Sequence, residues 1–369
     1  MYVDHLKIKN YRNYKNIEVD FHPHSNLFLG ANAQGKTNLL EAIYLSTAGK
    51  PFRPAKDAEL IRFGASSAYV LVHAVKKIID TTVEIRIERR GDTQAVKYIK
   101  KNKKNITLSS QLIKNIMAVV FSPEDLKIVK DEPDKRRSFI NRELSLLSPL
   151  YLTTYAAYRK TLLQRNAYLK ETYVDSSILG VWDERLATYG AKTMIMRGAF
   201  LSALSDHSAR LHREISGGLE DLKIQYEASV PLLKEEKDQK NLLLQKLQEA
   251  SGRDRKNRTT SVGPHRDDIS FYVNGVDMRK YGSQGQQRTS ALSLKLAELN
   301  LIKEETEEDA ILLLDDVLSE LDESRRIYLF HAIKESQLFI TGTDFDPDLL
   351  EKSGDRGVFS IESGSVRSR

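Results

Sequence analysis

The spacing of apolar and polar positions changes period several times along the chain. Residues 2 to 9 and 17 to 21 alternate or are β-branched, and Asn26-Leu-Phe-Leu29 is a short apolar run ending at Gly30, so three strands are expected. After Thr37 the period lengthens, with Leu39, Leu40, Ile43 and Tyr44 at helical spacing. Strand character returns at 69–75 and 82–88, and the stretch from Tyr98 to Ile106 reads as two strand ends around a polar turn. The first third is therefore α/β.

The middle is different. No proline falls between Pro149 and Pro231, and Leu186, Tyr189, Thr193, Met196, Phe200, Leu204, His207 and Leu211 advance by three or four. That predicts one long amphipathic helix, with Gly198 as the place for a break. Tyr155, Leu162 and Leu169 indicate an earlier helix, and Leu243 with Leu247 a shorter later one. Ser251 to Arg258 has the composition of an exposed loop. Strand character resumes at Ile269 to Val273, closed by the turn pair Asn274-Gly275. A helix over 286–303 and two buried strands, Ile311 to Leu314 and Leu338 to Ile340, complete the pattern. Short apolar runs alternating with helices imply mixed sheets covered by helices. The expected organisation is an α/β head built from 1–130 and 255–369, with a helical arm inserted at 131–254.

Composition narrows the function classes. The chain has 369 residues and no cysteine, which excludes disulfides, thiolate metal sites and thiol nucleophiles and fits a reducing cytosol. Its eight histidines suggest no metal site, since His22 and His24 flank a proline and His207 and His212 fall on different helical faces. The charged N-terminus has no signal-peptide core, and no apolar window approaches a membrane span, so a soluble, cytoplasmic protein is expected. A formal net charge of +6 and a pI near 9.1 favour a polyanionic partner. Lys100, Lys101, Lys103 and Lys104, then Arg253, Arg255, Lys256 and Arg258, and also Arg53, are candidate phosphate contacts, although charge runs are often only solvated surface.

The chemistry is concentrated in three segments. Gly30-Ala31-Asn32-Ala33-Gln34-Gly35-Lys36-Thr37, followed by Asn38, is a complete phosphate-binding loop between a strand and a helix. Its glycines let backbone N–H groups turn toward a β-phosphate, Lys36 brings positive charge to the β and γ oxygens, and Thr37 can hold Mg²⁺. ATP with Mg²⁺ is the expected ligand. The apolar strand ending in Asp315-Asp316 supplies the carboxylates this chemistry needs, Asp315 for the metal and Asp316 facing the attacking water. Ser283-Gln284-Gly285-Gln286-Gln287-Arg288 opens a helix, where a hydroxyl and free amides make either an ordinary cap or an anion site.

In order, the phosphate loop, Ser283 to Arg288, Leu312 to Asp316, Ser319 to Asp322 and Thr341-Gly-Thr343-Asp344 resemble the ABC-type ATPase heads of the SMC and RecF group. The resemblance runs nearly end to end through Leu6 to Tyr14, Phe121 to Leu126, Pro133 to Arg137 and Gly263-Pro-His-Arg-Asp-Asp268, the last pointing to the RecF family. It implies that Ser283, Gly285 and Gln286 of one subunit meet the γ-phosphate held by another. It places Arg12 and Asn13 near the nucleotide, the 319–322 segment at the dimer seam, and Thr343 at the switch position usually held by histidine. It further implies a weak, DNA-stimulated ATPase of recombinational repair, replication and the SOS response, dimerising on ATP. Its partners would be duplex DNA or single/double-strand junctions and mediators of the RecR and RecO kind. Asp316 in place of glutamate, and Thr343, both imply slow turnover.

Other classes fit less well. A transporter ATPase subunit would share the loop, the signature and the acid strand, but with a much shorter gap between Thr37 and Ser283. An SMC or Rad50 protein would need hundreds more heptad residues in that gap. A nonenzymatic DNA scaffold would not need intact nucleotide and acid positions.

Overall fold

The computed structural model describes residues 1–91, 93–333, 335–343 and 355–369. The chain divides into two compact units, Met1–Leu126 with Glu298–Arg369, and Lys127–Ala297.

The first unit holds two six-stranded sheets. One is antiparallel, in the spatial order Tyr14–Asp20, Tyr2–Tyr11, Ser67–Val75, Thr81–Arg90, Gln94–Lys101, Lys104–Ile106. Its strands alternate as their sequences do: Val70, Val72, Val83, Ile85 and Ile87 are buried while the residues between them are not. The other sheet runs Ser365–Ser368, Arg356–Glu362, Ser25–Leu29, Leu338–Gly342, Ile311–Leu314, Ala118–Phe121. All its pairs are parallel except the terminal hairpin of Arg356–Glu362 with Ser365–Ser368. These central strands are the continuous apolar runs, as expected of strands buried on both faces. Helix Lys36–Ala48 touches strands of both sheets and is buried on almost every side. The loops that leave Leu29 and Leu314 emerge at the carboxyl ends of the parallel strands, where open α/β sheets hold their ligands.

The second unit contains helices Pro133–Leu147, Pro149–Tyr168, Ser176–Ile215 and Glu236–Asn257 and a small antiparallel sheet, Val276–Asp277, Asp268–Val273, Leu222–Glu227. The long helix begins on an Asp175 cap and continues for 40 residues without the break expected at Gly198. Gly198 makes room instead: a Cβ there would lie 2.3 Å from Leu232 Cδ2. Residues 251–257 are helical, not the expected exposed loop. The buried stripe of Leu243, Leu247 and Ala250 extends to Asp254, which binds buried Arg165, so tertiary contacts overrule a loop-like composition. Arg253 is bonded to Ser261 and Arg255 to Val174 and Ser176.

The inserted unit is thus larger than the expected 131–254. The pairing of Asp268–Val273 with Leu222–Glu227 keeps that strand in the second unit, and the boundary at Glu298 falls inside helix Gln284–Thr306.

Candidate nucleotide site

The phosphate loop is held in shape by close backbone approach. A Cβ on Gly30 would lie 2.4 Å from the Ile361 carbonyl oxygen. Gly35 has φ 117, and a Cβ there would meet Asn13 Nδ2 at 2.5 Å, so both positions require glycine. Asn13 Nδ2 donates to the Gln34 carbonyl at 2.8 Å, and Asn38 Nδ2 donates to Asn13 Oδ1 at 2.9 Å. From the other side, the C-terminal hairpin turn donates Ser363 N–H to Gln34 Oε1 at 2.7 Å and Gly364 N–H to the Gln34 carbonyl at 3.2 Å. Nothing in the sequence pattern marks that turn as part of the site.

The chemical residues converge on the loop. Lys36 is buried, and its Nζ donates to the carbonyl of Gly30 at 2.7 Å and lies 3.8 Å from Asp316 Oδ1. Thr37 Oγ1 donates to Asp315 Oδ1 at 2.7 Å. Burial, then the like charge of Asp316, raise the pKa of the Asp315 carboxyl against the opposing hydrogen bonds of Thr37 and Thr341. Asp316 takes a left-handed φ of 51, and its N–H donates to Thr341 Oγ1 at 2.9 Å. Thr341, on the strand between the two motif strands, thereby ties the acid pair to the sheet; Thr343 is exposed at that strand's end, and Asp344 lies outside the described residues.

Arg12 is brought to the loop through a carboxylate that no sequence motif marks. Glu41, fully buried one turn beyond Thr37, accepts from Arg12 Nε at 2.7 Å and NH2 at 3.0 Å, from Arg53 Nε at 3.1 Å, and from Tyr11 OH at 3.0 Å. Burial alone would raise its pKa, but the hydrogen bonds and charges of Arg12 and Arg53 outweigh burial and hold it below the usual carboxylate range. Arg53 also donates to Asn38 Oδ1 at 2.7 Å, which places this candidate DNA contact beside the phosphate loop. Beside these groups opens a cleft of about 800 Å³ lined by Arg12, Asn13, Asn38, Arg53, Glu59 and Phe63.

Ser283, Gly285 and Gln286 belong to the second unit. Ser283 Oγ accepts the Gln286 N–H at 3.2 Å and Gln286 Oε1 accepts the Ser283 N–H at 3.1 Å, a reciprocal capping box that leaves the serine hydroxyl hydrogen as a donor. In the first unit, Asp322 caps helix Glu323–Ala332 through the Arg325 N–H at 3.0 Å.

The Gly263–Asp268 motif is structural. Arg136 forms a bidentate pair with Asp268 at 2.7 Å on each arm, Arg137 donates to the Asp267 carbonyl, and Arg197 to that of Pro264. Asp267 also accepts from Tyr226 OH and Ser229 N–H. The motif therefore ties helices Pro133–Leu147 and Ser176–Ile215 to the entry of strand Asp268–Val273, which leads on toward Ser283.

A strand-borne phosphate loop, a threonine hydrogen-bonded to a strand-end aspartate beneath it, and a capped serine-led helix define an ABC-type ATPase head of the SMC kind. The family model described as RecF/RecN/SMC N terminal domain matches residues 2–355. The DNA replication and repair protein RecF of Alkaliphilus oremlandii is 43% identical, aligned over 99% of this chain and 100% of its own. That of Clostridium tetani is 41% identical over 99% of both. This chain belongs to the RecF family. A solved structure described as the recombination mediator protein RecF-ATPrS in the RecFOR pathway superposes with a TM-score of 0.91 at 36% identity, covering 100% of this chain and 98% of the other. An SMC head bound to the C-winged helix domain of ScpA shares the fold, with a TM-score of 0.55 at 14% identity, covering 100% of this chain and 98% of that one. A transporter subunit is not favoured by these relatives.

Proposed function

We propose that this chain is an ATP-dependent DNA-binding protein of recombinational repair and replication-fork maintenance, in which ATP joins two heads on duplex or gapped DNA and slow hydrolysis releases them. The observation that carries the proposal is the 2.7 Å bond from Thr37 Oγ1 to Asp315 Oδ1 beneath the phosphate loop. Both are oxygen donors, as a hard divalent cation requires, and one or two protein ligands suffice when phosphates and water complete the shell. Thr37 and Asp315 would hold Mg²⁺, which would neutralise charge on the β and γ oxygens. Lys36 would turn from the Gly30 carbonyl to those oxygens, and Asp316 would orient the water. The cleft lined by Arg12, Asn13 and Phe63 takes the nucleoside end of ATP.

Ser283 would act across the seam. Each loop satisfies one side of a triphosphate, and the Ser283 hydroxyl with the helix N-terminus supplies donors to the γ-phosphate of the opposite chain. The full-length relatives are DNA replication and repair proteins, and the solved relative belongs to a RecFOR pathway, which supports DNA and mediators of the RecR and RecO kind as partners. Lys100, Lys103 and Lys104, exposed around a hairpin turn, are the proposed phosphate contacts on DNA. Analytical ultracentrifugation with ATPγS tests the core of the proposal. The parent should dimerise, while Ser283→Arg should bind nucleotide and stay monomeric. A parent that remains monomeric, or a Ser283→Arg variant that dimerises fully, refutes it.

A further inference from the structure

The side-chain amide of Gln286 makes a further hydrogen bond besides its part in the capping pair. Its Nε2 donates to Glu220 Oε1 at 2.9 Å, and Glu220 Oε2 meets Nε2 of the fully buried His212 at 3.0 Å. The other ring nitrogen of His212 lies 3.3 Å from Ser293 Oγ, two turns further along the helix that Gln286 opens. Glu220 is itself fixed by its backbone. Its N–H donates to Ser216 Oγ, and the next residue, Asp221, exchanges bonds with Asn274, whose amide also donates to the Leu219 carbonyl. The carboxylate is therefore a preset acceptor at the start of the signature helix.

We infer that Glu220, seated on His212, is a positioning residue for the signature motif. With Nε2 committed to Glu220, the amide of Gln286 can present only its oxygen to the Ser283 N–H. Ser283 then accepts from the Gln286 backbone and keeps its hydroxyl hydrogen for an anion. A carboxylate this near a γ-phosphate site is electrostatically unfavourable, so its presence there is accounted for by the geometry it imposes on Gln286. Glu220 acts through Gln286 and touches no nucleotide. The inference rests on the trans role of Ser283, but its geometric part can be read in the monomer.

The test compares Glu220→Ala with Glu220→Gln, which retains an acceptor at Oε1. In ATPγS-driven dimerisation, Glu220→Ala should weaken association about tenfold per site, or about a hundredfold for a symmetric pair of sites, with nucleotide binding to the monomer unchanged. Glu220→Gln should dimerise at least as well as the parent. In a Gln286→Ala background, Glu220→Ala should add less than about twofold, since the two act as one unit. Hydrogen exchange on the nucleotide-free protein provides the second readout. Glu220→Ala should speed exchange about tenfold in the segment from Ser283 to Thr289 and leave Leu292 to Leu301 as in the parent, and Glu220→Gln should leave both as in the parent. Parent-like exchange at the helix start in Glu220→Ala, or fully additive effects with Gln286→Ala, overturns the inference. If the parent fails to dimerise but the exchange pattern holds, the trans reading falls and the positioning role stands.

Discussion

Replacing Glu41 by alanine should cost this protein about 3 kcal/mol, a sum over the partners the carboxylate leaves behind. The Tyr11 hydroxyl is fully buried and loses its acceptor, which costs about 1–3 kcal/mol. The two arginines are better placed. Their side chains are 19% exposed for Arg12 and 40% for Arg53, so water partly recovers their charge, and each contributes at most about 1 kcal/mol. With a urea dependence of about 2–3 kcal/mol per molar, the midpoint should fall by about 1 M. The effect also has a defined pH dependence. Glu41 is held below its ordinary range, so its contribution is present above the unfolded-state value and fades as the pH falls through the folded one. The parent and the variant should therefore converge in acid. Glu41→Gln, which keeps the volume and removes the charge, should fall between them at neutral pH. ATP affinity should drop alongside stability, since Arg12 and Arg53 then lose their orientation. A Glu41→Ala midpoint within experimental error of the parent, or a difference that persists unchanged into acid, would refute the assignment.

Asp316→Asn should bind ATP as the parent does and hydrolyse it about 10²–10⁴-fold more slowly, measured by single-turnover phosphate release. Reversing Lys100, Lys103 and Lys104 to glutamate should weaken duplex binding and flatten its logarithmic salt dependence by up to about three units; an unchanged slope leaves the hairpin as solvated surface. His265 accepts from Tyr158 OH at 2.6 Å and donates to the Thr260 carbonyl at 3.0 Å, and burial first, then the charges of Arg266 and Arg137, push it down to about 4. The unfolded chain thus binds the extra proton between about pH 6.5 and 4, so stability should fall by about 3 kcal/mol on acidification through that window, and His265→Gln should flatten this limb in urea titrations.

The parts of this site readable from sequence are those whose partners lie within a few residues. Gly30, Gly35, Lys36 and Thr37 form one loop, and the Asp315-Asp316 pair ends one strand, so local pattern carries them. The strands were legible for the same reason: the alternation of Ser67–Val75 and the apolar run Ile311–Leu314 are properties of the segments alone. Where local pattern misleads, a distant partner decides the outcome. Ser251 to Arg258 looks like a loop because its composition is polar, yet it is helical through Asn257 because Asp254 meets Arg165 and Ala250 joins the core of Leu243 and Leu247. Gly198 suggests a break, yet the helix passes through it because Leu232 needs the space.

Glu41 and Glu220 are invisible in the sequence for a shared reason. Each is a carboxylate that holds a neighbour of a candidate ligand group, Arg12 beside the phosphate loop in one case and Gln286 beside Ser283 in the other. A residue of this kind carries no motif, because its spacing from its partner is set by the fold: Glu41 stands 29 residues from Arg12, and Glu220 stands 66 from Gln286. The phosphate loop and, in the proposed dimer, the serine-led helix both face anions, so a carboxylate beside either opposes the ligand's charge, and a neutral acceptor would do less harm. Glutamate is tolerated where its charge is spent on a cation or a committed donor: the two guanidiniums around Glu41, and His212 with the Gln286 amide around Glu220. The same logic separates the two in their expected failures. Loss of Glu41 frees the two guanidiniums beside the phosphate loop and should be felt in nucleotide binding by a single chain, whereas loss of Glu220 loosens a helix start, which exchange reads in the monomer but which should alter association only when two chains meet.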